Sequence, residues 1–103
     1  MFVIVRFAVP LDRADDFEAR ARAAADFFAG RPGCESAEIG KNVDDPELWA
    51  LVTRWADVGS YRRAYNGYEA KMTLMPLLNE AIDEPTAYAD AADVGFNVPR
   101  GSA

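Results

Sequence analysis

The run Leu48 to Ala56 constrains the fold of this chain more than any other stretch, because it is apolar on both faces of an extended strand. A strand that buries one face alternates apolar and polar residues. Here Trp49, Leu51 and Trp55 share one face while Leu48, Ala50 and Val52 share the other, so both faces need cover. The run ends in a tryptophan and passes at Asp57, a helix-capping residue type, into a helix in which Val58, Tyr61, Tyr65 and Tyr68 share one face. One stretch therefore predicts a doubly covered strand and an aromatic-rich helix packed beside its end.

The remaining elements follow from period and punctuation. Phe2 to Val9 alternates as a strand, with Phe2 and Ile4 on one side and Val3, Val5, Phe7 and Val9 on the other, and Pro10 stops it. From Asp12, a plausible cap, Ala14, Phe17, Ala21, Ala24 and Phe28 recur at spacings of three and four, the stripe of an amphipathic helix. Gly30-Arg31-Pro32-Gly33 ends it. Cys34 to Val43 reads as a second strand, joined through the turn chemistry of Asp44-Asp45-Pro46 to the third as an antiparallel hairpin. A helical piece over Ala70 to Ala81 is expected to turn Met72, Met75 and Leu78 inward, with Pro76 at a turn or kink. A short last strand falls near Thr86 to Ala89, giving one domain over 1–90 and a tail over 91–103. In that tail, Val98-Pro99-Arg100-Gly101-Ser102 matches most of a thrombin recognition sequence.

Composition removes whole classes of chemistry. With 103 residues the chain buries roughly two-thirds of its unfolded surface and needs no disulfide or metal to fold. Seventeen acidic against 11 scattered basic residues, a net charge of -6, argue against nucleic acid or an anionic membrane as partner. No apolar run approaches the roughly 20 residues of a membrane span, and the single Cys34 forms no internal disulfide; the expected location is cytoplasmic. There is no histidine, so the commonest general base and metal ligand are both absent. No phosphate-binding glycine loop, dinucleotide fingerprint or metal-ligand spacing occurs, and the expectation is a protein without metal or cofactor.

The order βαββαβ is that of an α+β ferredoxin-like fold, a four-stranded antiparallel sheet with helices on one face. The other apolar face of strands one and three is then open to water, and a second copy of the sheet is its economical cover. The expected partner is another copy of this chain, the two sheets facing each other as a dimeric α+β barrel.

At the level of motifs the chain resembles the antibiotic biosynthesis monooxygenase family of the dimeric α+β barrel superfamily. The resemblance runs from about Met1 to Tyr88 and is carried by Met1-Phe2-Val3-Ile4-Val5-Arg6-Phe7, Asp44-Asp45-Pro46-Glu47-Leu48-Trp49, Thr53-Arg54-Trp55 with Val58-Gly59-Ser60-Tyr61, Pro76-Leu77-Leu78 and Ile82-Asp83-Glu84-Pro85-Thr86. Members include cofactor-free oxygenases of polycyclic aromatic polyketides and haem-degrading oxygenases. In the first group a tryptophan ends the third strand and a tyrosine follows six positions later, a spacing that Trp55 and Tyr61 match. An asparagine earlier on the same strand face is replaced here by Leu51, and the axial histidine of the haem-degrading members is absent.

The resemblance implies a cofactor-free monooxygenase using dioxygen on a polycyclic aromatic substrate in secondary metabolism. Such an enzyme holds flat rings, donates hydrogen bonds to a developing oxyanion and excludes water. Trp55 and Tyr61 are the candidate catalytic residues, and Tyr65, Tyr68, Met72 and Met75 the candidate substrate-binding wall. Core packing of an aromatic-rich helix explains the same residues without any ligand. A non-catalytic dimeric small-molecule-binding module, or a polyketide cyclase or isomerase on the same fold, therefore stays open beside the oxygenase.

Overall fold

The computed structural model describes residues 1–94. Most of the expected tail, including the thrombin-like match, lies outside the described residues. The elements are β1 (Phe2–Ala8), a 3-10 turn (Leu11–Arg13), α1 (Ala14–Ala29), β2 (Cys34–Lys41), β3 (Leu48–Trp55), α2 (Val58–Arg63), α3 (Tyr68–Leu78), β4 (Ala87–Tyr88) and a single helical turn, α4 (Ala91–Val94). The strands form one sheet in the order β2-β3-β1-β4, with every neighbouring pair antiparallel. This is the ferredoxin-like arrangement that the strand and helix periods predict.

The register shows why the strands alternate as they do. Val3 sits opposite Thr53, Val5 opposite Leu51 and Phe7 opposite Trp49, and all six are buried on the helix side. Fully burying one such aliphatic or phenyl side chain is worth about 1.5–3 kcal/mol, so the three-rung stack defines the pairing; a one-residue slip would move all of it to the other face. On that other face Phe2, Ile4, Leu48, Ala50 and Val52 are half-buried. Tyr88 stacks on Phe2 there at 5.4 Å, and the Arg54 guanidinium lies over the same ring.

Helix α1 buries Phe17, Ala21, Ala24, Ala25 and Phe28 against β2, β3 and α3, and Ala14 packs at its edge. Its start differs from expectation. Asp12 does not cap it; the chain enters through the 3-10 turn after Pro10, where the Arg13 N–H donates to the Pro10 carbonyl at 2.9 Å. Asp57 does cap α2, its Oδ1 accepting the Ser60 N–H at 2.7 Å, and this bond holds its carboxyl below the usual range.

The largest difference concerns α3. Gly67, at φ +98°, breaks the chain between Tyr65 and Tyr68, so the phase of the Tyr61–Tyr65 face is lost before Tyr68, which is 79% exposed. Ala70, Leu74 and Leu77 form the buried stripe, while Met72 and Met75 are 58% and 41% exposed. Helix α3 packs on α1 with the Ala70, Leu74 and Leu77 stripe buried, and this packing leaves the larger methionines outside. Pro76 lies within the last turn of α3. The end of α3 is tied to α1 by a forked pair between Arg20 and Glu80 at 3.0 and 3.1 Å. A second fork joins Arg6 on β1 to Glu84 in the loop before β4, with both bonds at 2.7 Å. Among the described residues no helix is long and apolar enough to cross a membrane.

Candidate functional site

The end of β3 and the start of α2 bring an aromatic cluster together. Trp55 is 1% exposed and ends β3 on the helix side. Phe28 of α1 meets its ring edge-on at 5.8 Å, and Tyr61 of α2 packs against it at 6.0 Å. Tyr65, just past α2, meets Tyr61 at 5.3 Å and Phe28 at 5.8 Å, both edge-on. Offset and edge-to-face contacts of this kind are the favoured geometry of aromatic pairs, adding about 0.5–1.5 kcal/mol each beyond burial. The structure thus brings Trp55, Tyr61 and Tyr65 into one cluster, as their spacing predicts, whereas Tyr68, Met72 and Met75 are turned away from it on the exposed side of α3.

Inside the cluster the polar atoms are arranged unequally. The Trp55 indole N–H donates to the Thr53 hydroxyl at 2.8 Å, in a buried bond. Motif reading misses Thr53, yet its signal is in the strand period: a hydroxyl two residues before the tryptophan lies on the same buried face. The indole is therefore a fixed wall whose donor is already used. Leu51, also buried, lies two residues earlier on that face. The phenols differ. Burial pushes the Tyr65 hydroxyl far above its ordinary pKa, and hydrogen bonding and charge interaction with Tyr61 push it the same way, so Tyr65 remains a protonated donor and not a base.

Tyr65 also reaches solvent on one side. It lines a cleft of about 410 Å³ whose apolar floor is Val5, Leu78 and Ile82 and whose polar lining includes Asn79 at the end of α3. Tyr61 faces a smaller cleft of about 130 Å³ beside Met1, Tyr88 and Val94. The larger cleft lies on the β1–β4 side of the sheet, where the chain after α3 returns to pair with β1: the Ile82 N–H donates to the Arg6 carbonyl and the Ile4 N–H to the Thr86 carbonyl, each at 2.8 Å. Its volume is in the range of small-molecule sites, and its lining is about half polar, with Asp83, Glu84 and Thr86 beside Tyr65 and Asn79. Asn79 and the loop 82–86 carry no periodic signal, which is why spacing arguments do not select them. Among the described residues no group of three or more Asp, Glu or Cys side chains is placed to hold a metal ion.

The comparisons agree with this fold. The family model "Antibiotic biosynthesis monooxygenase" matches residues 1–71. The chain belongs to the antibiotic biosynthesis monooxygenase family. Among solved structures it is similar to a point mutant of SnoaB, a cofactor-independent oxygenase from Streptomyces nogalater, with 22% identity, 85% of this chain and 90% of that one covered, and a TM-score of 0.71. A candidate antibiotic biosynthesis monooxygenase from Nitrosomonas europaea gives 20% identity, 87% and 98% coverage and a TM-score of 0.68. A conserved protein from Methanosarcina mazei gives 21% identity, 84% coverage of both chains and a TM-score of 0.68. At these identities the likeness shows the fold, and no curated protein matches the chain.

Proposed function

We propose that this protein is a cofactor-independent monooxygenase that oxidises a polycyclic aromatic substrate of polyketide type in secondary metabolism. The observation that carries the reading is the Tyr61–Tyr65 phenol pair, in which Trp55 packs behind Tyr61 and Tyr65 lines the larger cleft. Family membership and the description of SnoaB as a cofactor-independent oxygenase support it. In this reading the substrate supplies the electrons. An anthrone-type ring deprotonates, its anion passes one electron to dioxygen, and the radical pair joins as a carbon–oxygen bond. Loss of water then leaves a carbonyl, so one oxygen atom enters the product and the other leaves with two substrate hydrogens.

The chain's own part is to hold the ring, donate to the oxyanion and keep the radical pair dry. Tyr65, kept protonated by burial, donates to the oxyanion, while Tyr61 and Phe28 pack edge-on against its ring and Trp55 backs Tyr61. The reading gives Tyr68, Met72 and Met75 no contact with the substrate, because they lie on the exposed side of α3. It also makes the protein a cytoplasmic homodimer. The half-buried Phe2, Ile4, Leu48 and Val52 face is the proposed interface, and the free Cys34 suits a reducing compartment.

One observation favours a second reading. Leu51 fills the strand position where the resemblance calls for an amide, and the indole N–H is spent on Thr53, which suits a module that binds an aromatic ligand without turning it over. Dioxygen uptake with a panel of anthrones, a metal chelator present throughout, separates the two. The wild-type protein is expected to consume dioxygen, and Tyr61→Phe, Tyr65→Phe and Trp55→Phe, each checked for an unchanged oligomeric state, are expected to lose tenfold or more of the rate, about 1.4 kcal/mol of barrier. Ligand binding without uptake selects the binding module.

A further inference from the structure

We infer that the cleft beside Tyr65 takes a neutral, hydroxylated planar ligand and rejects its carboxylated counterpart. The inference rests on the reading of this cleft as the ligand site and adds the charge class of what enters it. No lysine or arginine lines the cleft. The guanidinium paired with the lining residue Glu84, that of Arg6, has its Nε and one Nη committed to the two Glu84 oxygens. Glu84 and Asp83 both line the cleft, and the Asp83 carboxylate makes no hydrogen bond or ion pair among the described residues. An anion entering would meet the uncompensated Asp83 carboxylate, while the Glu84 charge is paired with Arg6.

The remaining polar groups are neutral donors. The Asn79 side-chain amide makes no hydrogen bond among the described residues, and Asn79 and Tyr65 line the same space with Val5, Leu78 and Ile82. An amide and a phenol over an apolar floor suit ring hydroxyls and carbonyl oxygens, and they offer nothing to neutralise a carboxylate. Asn79 is thus the donor with the most freedom to reach a ligand, from the end of α3 where Glu80 is pinned to Arg20.

The test is calorimetric titration of the full chain with a dihydroxyanthraquinone and with its ring-carboxylate analogue, at neutral pH and low salt. The neutral probe is expected to bind about fivefold more tightly than the anion, the size of one like-charge contact at the exposed Asp83 carboxylate, with the gap shrinking in salt. Asp83→Asn is expected to close most of that gap, and Asn79→Asp to widen it. Because the whole chain is acidic, Glu35→Gln on β2, at the opposite edge of the sheet, serves as the control and is expected to leave the ratio unchanged. Equal affinity for the two probes, failure of both to bind, or an equal response to Glu35→Gln and Asp83→Asn overturns the inference. Selective binding without dioxygen uptake would remove the oxygenase reading and leave this one standing; uptake with no charge selectivity would do the reverse.

Discussion

Replacing Trp55 with alanine is expected to cost about 3–5 kcal/mol of folding stability, the range for deleting a buried aromatic ring. The ring is almost fully enclosed, packs on Phe28 and Tyr61 and binds the Thr53 hydroxyl, so its loss opens a cavity and also leaves a buried hydroxyl without its donor. Natural domains have only about 5–15 kcal/mol to lose, so the variant should melt some tens of degrees lower, since each kcal/mol is worth about 4–8 °C in a domain this small. Trp55→Phe keeps most of the ring volume and should fall far less. Urea unfolding of the two variants beside the wild type checks this. Equal midpoints for Trp55→Ala and wild type would mean that the cluster is not packed as described.

Gly33→Ala is expected to be the most damaging glycine-to-alanine change among the described residues. Gly33 has φ +86°, where an L side chain costs about 1–2 kcal/mol, and a Cβ there would overlap the Oγ and Cβ of Ser60 in α2. The position cannot relax freely, because the Gly33 carbonyl accepts the Ala56 N–H at 2.8 Å and so ties the entry of β2 to the exit of β3. Strain and overpacking together give about 2–5 kcal/mol. Ser60→Gly in the same chain removes the overlap and leaves the backbone strain, so a double-mutant cycle over the two positions should show a favourable coupling of about 1 kcal/mol or more. A Gly33→Ala variant that melts with the wild type would contradict both the backbone assignment and the contact.

The parts of this fold that are legible in the sequence are those where one physical demand acts alone. The alternation of β1 and β3 is legible because burial of Val3, Val5, Phe7, Trp49, Leu51 and Trp55 against helices admits one register. Asp57 is legible as a cap because a helix entered straight from a strand needs an acceptor for its first free N–H groups, and Ser60 N–H finds one. The orientation of α3 is not legible, because two stripes at helical spacings compete. Met72, Met75 and Leu78 carry more apolar surface than Ala70, Leu74 and Leu77, yet the packing on α1 buries the stripe that contains the alanine. Tyr68 is misplaced by periodicity for a related reason, since the spacing from Tyr61 runs on in the sequence while the backbone at Gly67 does not. The candidate site divides in the same way. Trp55, Tyr61 and Tyr65 follow from the strand end and the helix period, whereas Asn79, Asp83 and Glu84 come to Tyr65 only through the path of the chain from α3 back to β1.

The central claim, oxygenation by dioxygen with the substrate as reductant, is tested most directly by turnover of an anthrone under dioxygen labelled with heavy oxygen, chelator present, followed by mass spectrometry of the product. The account predicts one labelled oxygen atom in the new carbonyl and the other in water, with labelled product formed slowly or not at all by Tyr65→Phe. A product that carries no label, or label incorporated no faster than without protein, would contradict it.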